Sequence, residues 1–154
     1  MNIQFATDEY NQALRAGQKE FRELSAAGQP THPAVLDELL PENGAHTVVD
    51  VGLIEIPSER IIGTKSAGRI AAFTPSFHPL LDPKSEFAAK WINLCAAHLG
   101  ETGITDPIAC YEYLGNFYVQ EGNKRVSVLR CFGAPRIPGQ VRRVMPAPSE
   151  DPRI

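Results

Sequence analysis

The sequence lacks the features that mark membrane-spanning, secreted or metal-binding chains. It has no run of about 20 apolar residues, so we expect no membrane span and no membrane partner. Residues 1–9 contain neither a basic region nor an apolar segment, which argues against a signal peptide. Cys95, Cys110 and Cys131 are an odd number of cysteines without metal-binding spacing. We therefore expect reduced, buried thiols in a cytoplasmic protein.

Acidic residues are missing from one part of the chain. The net charge is −3, but residues 122–146 carry six basic residues and no acidic one. They are Lys124, Arg125, Arg130, Arg136, Arg142 and Arg143. A basic end of this kind attracts phosphates or nucleic acid. The alternative is a solvated basic face that balances the acidic residues of the N-terminal half.

The order of predicted elements divides the chain into three parts. Residues 1–45 are predicted to form an N-terminal helical arm, which packs on the domain or on another subunit. Residues 46–146 are predicted to form one domain of strands and helices. Residues 147–154 are predicted to form a flexible proline-rich tail or the start of a linker. A homodimer and a further domain of a longer chain both remain open.

Local signals place the elements within these parts. The first helix is predicted to begin at a Thr7 cap, and a short helix is predicted to begin at Pro33. The domain starts with a strand that is kinked at Gly52. A second long helix is predicted to begin at Asp82, and a β-hairpin with its turn near Gly115 follows.

The most informative stretch, Phe117–Gly133, predicts a strand, a sharp turn and a helix. Apolar and polar residues alternate up to Glu121, and Gly122 then interrupts the strand pattern. Asn123–Arg125 are predicted to form the first turn of the helix. Free N–H groups and the positive end of the helix dipole favour an anion there, and two basic side chains add full charges.

A second polar loop, Gly63–Arg69, is able to close over such an anion. It contains two glycines, two small hydroxyl residues and two bases, Lys65 and Arg69. It is not a P-loop, because the glycine-lysine-serine/threonine ending is missing. A plain surface turn is the other interpretation.

These elements and residues resemble the ParB/sulfiredoxin superfamily over roughly residues 47–146. The likeness is carried by Asp106-Pro-Ile before the hairpin, by Tyr118–Arg125, and by the apolar run to Gly133. It implies an α+β fold for residues 46–146, a ParB/sulfiredoxin-like small mixed sheet with packed helices. In that superfamily a glycine and a basic pair open a helix that binds nucleotide phosphates. ParB proteins bind CTP there, sulfiredoxins use ATP and a related free-serine kinase uses ADP. The series also resembles ParB-like domains of bacterial Firmicute proteins labelled as nucleases or transcriptional regulators.

The resemblance implies a role for each residue of the turn. Gly122 matches the turn glycine, and Lys124 and Arg125 match the basic pair. Arg69 corresponds to an arginine of the family's first loop, although the surrounding pattern differs. Asn123 stands where sulfiredoxin has its catalytic cysteine, and an amide cannot form the sulfur intermediate. We therefore expect no sulfiredoxin activity. We also expect no partition function, because no room remains for the DNA-binding domain that follows this fold in ParB proteins.

Four functions stay open on the sequence alone. The first is a regulatory module that binds a nucleoside di- or triphosphate, with Mg²⁺ on Glu121 or with Glu121 in an ion pair to Lys124 or Arg125. The second is a phosphoryl-transfer enzyme or nuclease that uses Glu121 and Glu112. The third is a DNA-binding module that uses the basic end. The fourth is a structural or interaction domain without a ligand.

Overall fold

The structure is a computed structural model that describes residues 2–41, 46–100 and 103–146. Its α-helices are α1 (Asn2–Ala26), α2 (Leu36–Leu39), α3 (Glu86–His98) and α4 (Asn123–Cys131). Its strands are β1 (Ala34–Val35), β2 (His46–Pro57), β3 (Ile61–Thr64), β4 (Ile108–Tyr113), β5 (Asn116–Glu121) and β6 (Arg136–Pro146). Ser58–Arg60 and Ala67–Ala72 form 3-10 helices on either side of β3. The predicted tail, residues 147–154, lies outside the described residues.

The strands form one mixed sheet in the order β1-β3-β5-β4-β6-β2. The pairs β2–β6 and β4–β5 are antiparallel, and the other three pairs are parallel. Helix α4 packs on one face of the sheet through Val126 and Leu129, and α3 and α1 pack beyond it. Leu36 of α2 contacts the other face near Tyr118 and Val144. The predicted α+β class, with a small mixed sheet, packed helices and an N-terminal helix, is confirmed.

The kink predicted at Gly52 is confirmed, but the predicted start of each long helix is wrong. The register of β2 on β6 shifts at Gly52, whose φ is 95°. Helix α1 begins at Asn2, and Thr7 lies inside it with its hydroxyl donating to Ile3 O at 2.8 Å. Helix α3 begins at Glu86, and the side chain of Ser85, not Asp82, caps it. The Ser85 hydroxyl oxygen accepts a hydrogen bond from Ala88 N at 3.1 Å and so satisfies one free helix N–H. Asp and Ser are both common caps, so the sequence does not show which of the two begins the helix.

Helix α1 is built into the hydrophobic core. Tyr10 is fully buried and its ring contacts Trp91 of α3 edge-on, with the ring centroids 5.2 Å apart. The Tyr10 hydroxyl donates to Leu81 O at 2.6 Å. Pro33 does not begin a helix, because Ala34–Val35 pairs with β3 as an edge strand. The boundary proposed after residue 45 stays a prediction. None of the described helices is long and apolar enough to cross a membrane.

Glu20 of α1 fixes the segment Phe73–Leu81, which runs from the second 3-10 helix towards α3. Its carboxylate accepts hydrogen bonds from Thr74 Oγ1 at 2.6 Å and from Ser76 N at 3.2 Å, and it contacts His78 Nδ1 at 2.8 Å. Burial raises the pKa of the Glu20 carboxyl, but the hydrogen bonds from His78, Thr74 and Ser76 outweigh burial. The net pKa is therefore below the ordinary value of 4.5.

Replacing Glu20 with Gln should lower stability at neutral pH, with the difference shrinking in acid. A carboxyl whose pKa is lowered by folding stabilises the protein above its unfolded pKa of 4.5. That contribution is lost as pH falls below 4.5 through the folded pKa. Thermal melts across this range check the trend. The control is Glu23→Gln, because the Glu23 side chain is exposed on the same helix, with its Oε1 4.0 Å from Lys19 Nζ. If the melting temperatures of the two variants depended on pH in the same way, the prediction would be contradicted.

Candidate anion-binding cleft

The predicted strand-turn-helix is confirmed at the end of β5. The strand ends at Glu121, Gly122 has a φ of 106°, and α4 begins at Asn123. A Cβ on Gly122 would lie 2.7 Å from Ile108 Cγ2, so only glycine fits between the turn and β4. The close approach of Gly122 to Ile108 therefore fixes the position at which α4 begins.

A cleft of about 710 Å³ opens beside this turn. Glycine, amide and charged residues of the turn form one side, Gln120–Arg125. Arg69 comes from the 3-10 helix Ala67–Ala72, and Lys90 comes from α3. Apolar side chains complete the lining, among them Phe73, Leu81, Phe87 and Leu94. The cleft therefore combines a polar, basic side with an apolar one, as small-molecule sites commonly do.

Positive side chains from three elements converge on the cleft. Lys124 Nζ lies 5.6 Å from the centroid of the Phe87 ring. Burial lowers the pKa of the Lys124 ammonium, and repulsion from Arg69 and Lys90 lowers it further. The Glu86 carboxylate raises it, but only in part. An anion in the cleft would relieve this repulsion, so the electrostatics favour a negatively charged ligand.

The remaining residues of the turn also line the cleft. One nitrogen of Arg125, Nη1, donates to Pro107 O at 2.7 Å, and Asp106 O lies 3.4 Å away. This contact fixes the first turn of α4 to the segment before β4. Asn123 Oδ1 is buried and has no hydrogen-bond partner among the described residues. The first turn of α4 thus contains one cation, Arg125, that is hydrogen-bonded to a backbone carbonyl. It also contains one buried polar atom, Asn123 Oδ1, without a partner among the described residues.

No protein-family model matches the chain, and no curated protein matches its sequence. Among solved structures, the chain is similar to the crystal structure of sulfiredoxin from Arabidopsis thaliana. The TM-score is 0.42 and the sequence identity 21%, over 59% of this chain and 84% of that chain. A similarity at this level says nothing about ligand or activity. The ParB-like type predicted from the sequence stays a prediction.

Two of the predicted site residues lie elsewhere. Lys65 Nζ contacts Asp37 Oδ1 at 2.5 Å and lies 5.7 Å from the centroid of the Tyr111 ring, beside a separate, smaller cleft. Glu112 Oε1 forms an ion pair with Arg143 Nη2 at 2.8 Å, and Glu112 does not line the candidate cleft. Lys65 and Arg69 separate because the predicted loop is divided, with its first residues in β3 and its last in a 3-10 helix.

Glu121 lines the cleft but is not part of a carboxylate cluster. Within residues 2–41, 46–100 and 103–146, no ion pair joins it to Lys124 or Arg125. The same ranges contain no group of three His, Cys, Asp or Glu residues arranged to hold a metal ion. Magnesium binding through Glu121 therefore stays a prediction that depends on phosphate oxygens as further ligands.

The basic end does not form one continuous positive patch. Arg142 and Arg143 are neighbours on β6, so their side chains leave opposite faces of the sheet. Arg130 is partly buried and donates from Nη1 to Ile61 O at 2.9 Å. Sequence reasoning also missed Phe87 and Lys90 as cleft residues. Their spacing of three marks a common helix face, but it does not reveal which element that face meets.

Proposed function

We propose that this chain is a nucleotide- or phosphate-binding module of the ParB-like kind with a regulatory role. The observation that carries the proposal is the convergence of Arg69, Lys90 and Lys124 on the cleft at the start of α4. The ligand is a nucleoside di- or triphosphate. Its phosphates contact the N–H groups of the first turn and the side chain of Lys124. Arg69 approaches the same phosphates from the 3-10 helix.

The apolar side of the cleft supports a nucleoside rather than phosphate alone. Leu81 and Phe87 are partly exposed and offer aliphatic and aromatic surface next to the cations. A flat base buries apolar area against such surface, while its phosphates stay with the positive groups. Mg²⁺ would bind between Glu121 and the phosphates and neutralise part of their charge.

The other functions predicted from the sequence have less support. Phosphoryl transfer or nuclease chemistry through Glu121 and Glu112 needs both carboxylates near one phosphate, and only Glu121 lines the cleft. DNA binding as a transcriptional regulator needs a continuous basic face, but Arg142 and Arg143 leave opposite faces of β6. Both remain proposals, ranked below nucleotide binding.

Replacing Lys124 with Ala should weaken nucleotide binding about tenfold, the usual size of a lost charge-assisted phosphate contact. Isothermal titration with ATP, ADP, CTP and GTP, each with and without Mg²⁺, measures this and identifies the base. The matched control is Lys84→Ala, because Lys84 is exposed just before α3 and does not line the cleft. If none of the four nucleotides binds to the unaltered protein, nucleotide binding is ruled out.

A further inference from the structure

One of the three cations that converge on the cleft was assigned no role by the sequence. Lys90 belongs to α3, a helix whose other side packs Ala88, Trp91 and Cys95 into the core. The Lys90 side chain itself is 60% exposed at the rim of the cleft. A charged residue at this position is therefore in reach of both solvent and ligand.

Lys90 and Lys124 lie over the same face of α3. Phe87 and Lys90 are three residues apart on the helix and so are neighbours on one face. Lys124 Nζ lies 5.6 Å from the centroid of the Phe87 ring, and Lys90 Nζ lies 3.1 Å from Glu86 Oε1. Two ammonium groups therefore share this face with a single carboxylate.

The ion pair of Lys90 with Glu86 is easily exchanged. It joins residues four apart on an exposed helix surface, and the Glu86 side chain is 82% exposed. Such pairs contribute little to stability because water screens them. Glu86 also offsets only part of the repulsion that lowers the pKa of Lys124. The cleft lining therefore keeps an excess of positive charge even with Glu121, and Glu86 is a weakly held counter-ion of Lys90.

We propose that Lys90 distinguishes polyphosphates from monophosphates in this cleft, and that Glu86 is its exchangeable counter-ion. The inference rests on the proposed phosphate site at α4. A single phosphate at the first turn of α4 is satisfied by backbone N–H groups and by Lys124. A longer phosphate chain extends across to α3, where its outer oxygens replace the Glu86 carboxylate on Lys90. Lys90 thus adds affinity only when a second or third phosphate is present.

The test compares ligands that differ only in the length of the phosphate chain. Isothermal titration at fixed ionic strength uses a nucleoside mono-, di- and triphosphate, together with inorganic phosphate and tripolyphosphate. Lys90→Ala should weaken triphosphate and tripolyphosphate binding about tenfold and leave monophosphate binding within about twofold. Glu86→Gln should strengthen triphosphate binding about twofold, because the competing carboxylate is removed. Lys84→Ala should change the affinity for neither the monophosphate nor the triphosphate by more than about twofold.

The possible results separate this inference from the proposed function. Equal weakening of mono- and triphosphate by Lys90→Ala, or no weakening of either, overturns the role of Lys90 and leaves nucleotide binding intact. Binding of tripolyphosphate without any nucleotide overturns the nucleotide function, while a Lys90-dependent preference for the longer phosphate chain still supports the inference. If the unaltered protein binds none of these ligands, both proposals fail. Circular dichroism of each variant confirms that the fold is retained.

Discussion

Replacing Gly122 with Ala should destabilise the protein by roughly 2–4 kcal/mol and weaken ligand binding at the same time. Two separate causes add here. A φ of 106° is a backbone conformation that an L side chain rarely adopts. The new Cβ would also meet Ile108 Cγ2 at 2.7 Å and Ile108 Cβ at 3.1 Å. Ile108 is 1% exposed and belongs to β4, so it cannot move aside.

The Gly122 prediction is measured by urea unfolding, with Gly133→Ala as the matched control. Gly133 follows α4 with a φ of 73°, and a Cβ there meets nothing within 4 Å. Its replacement therefore tests the backbone strain alone and should cost about 1 kcal/mol. If Gly122→Ala lowered the free energy of unfolding by no more than Gly133→Ala, the contact with Ile108 would be shown to be unimportant. A shift of the first turn of α4 should also appear as weaker nucleotide binding in the Gly122→Ala protein only.

Replacing Trp91 with Ala should cost about 3–5 kcal/mol of unfolding free energy, as large core truncations do. Trp91 is fully buried between α1 and α4, with its ring edge-on to Tyr10. Its indole N–H donates to Ser127 Oγ at 2.9 Å, and Ser127 Oγ donates to Phe77 O at 2.5 Å. The substitution removes the packing and also interrupts this chain of hydrogen bonds, which ends on the carbonyl oxygen of Phe77, a residue with a φ of 65°.

Trp91→Phe separates the contribution of packing at Trp91 from that of the hydrogen bond, and Phe5→Ala is a control for the loss of an exposed ring. Trp91→Phe keeps most of the buried ring and loses the N–H, so it should cost about 1–2 kcal/mol. Phe5→Ala removes an aromatic ring from a position on α1 that is 53% exposed, and should cost under about 0.5 kcal/mol. Urea unfolding followed by circular dichroism checks these values, because Trp91 is the single tryptophan of the chain and its replacement removes the main fluorescent probe. If α1 unfolds in a separate, earlier transition, its proposed integration into the core is wrong.

The packing of α1 explains why the sequence underestimates its importance for the site. Its stripe of apolar residues shows that one face is buried, but the stripe does not identify the partner. In the structure, Tyr10 contacts Trp91 and donates to Leu81 O, and Leu81 lines the cleft. Glu20 fixes the same segment through Thr74 and His78. The helix predicted as an arm therefore positions one side of the candidate site.

Local chemistry was sufficient for the centre of the candidate site. Strand alternation up to Glu121, the break at Gly122 and the helical spacing after it depend on neighbours in the chain, so the sequence alone determined this strand-turn-helix. The same holds for the bulge at Gly52. These features need no knowledge of which elements meet, because backbone conformation and side-chain period act within a few residues.

Only the tertiary structure decided which charges share the cleft. Lys65 and Arg69 are four residues apart in sequence, yet Lys65 pairs with Asp37 while Arg69 lines the cleft. Lys90 and Lys124 are far apart in sequence, yet they lie over one face of α3. The physical reason is that strand pairing and helix packing bring distant segments together, and a local pattern does not encode the partner. The sequence determined where an anion is favoured, and the packing of α3 against α4 determined which side chains surround it.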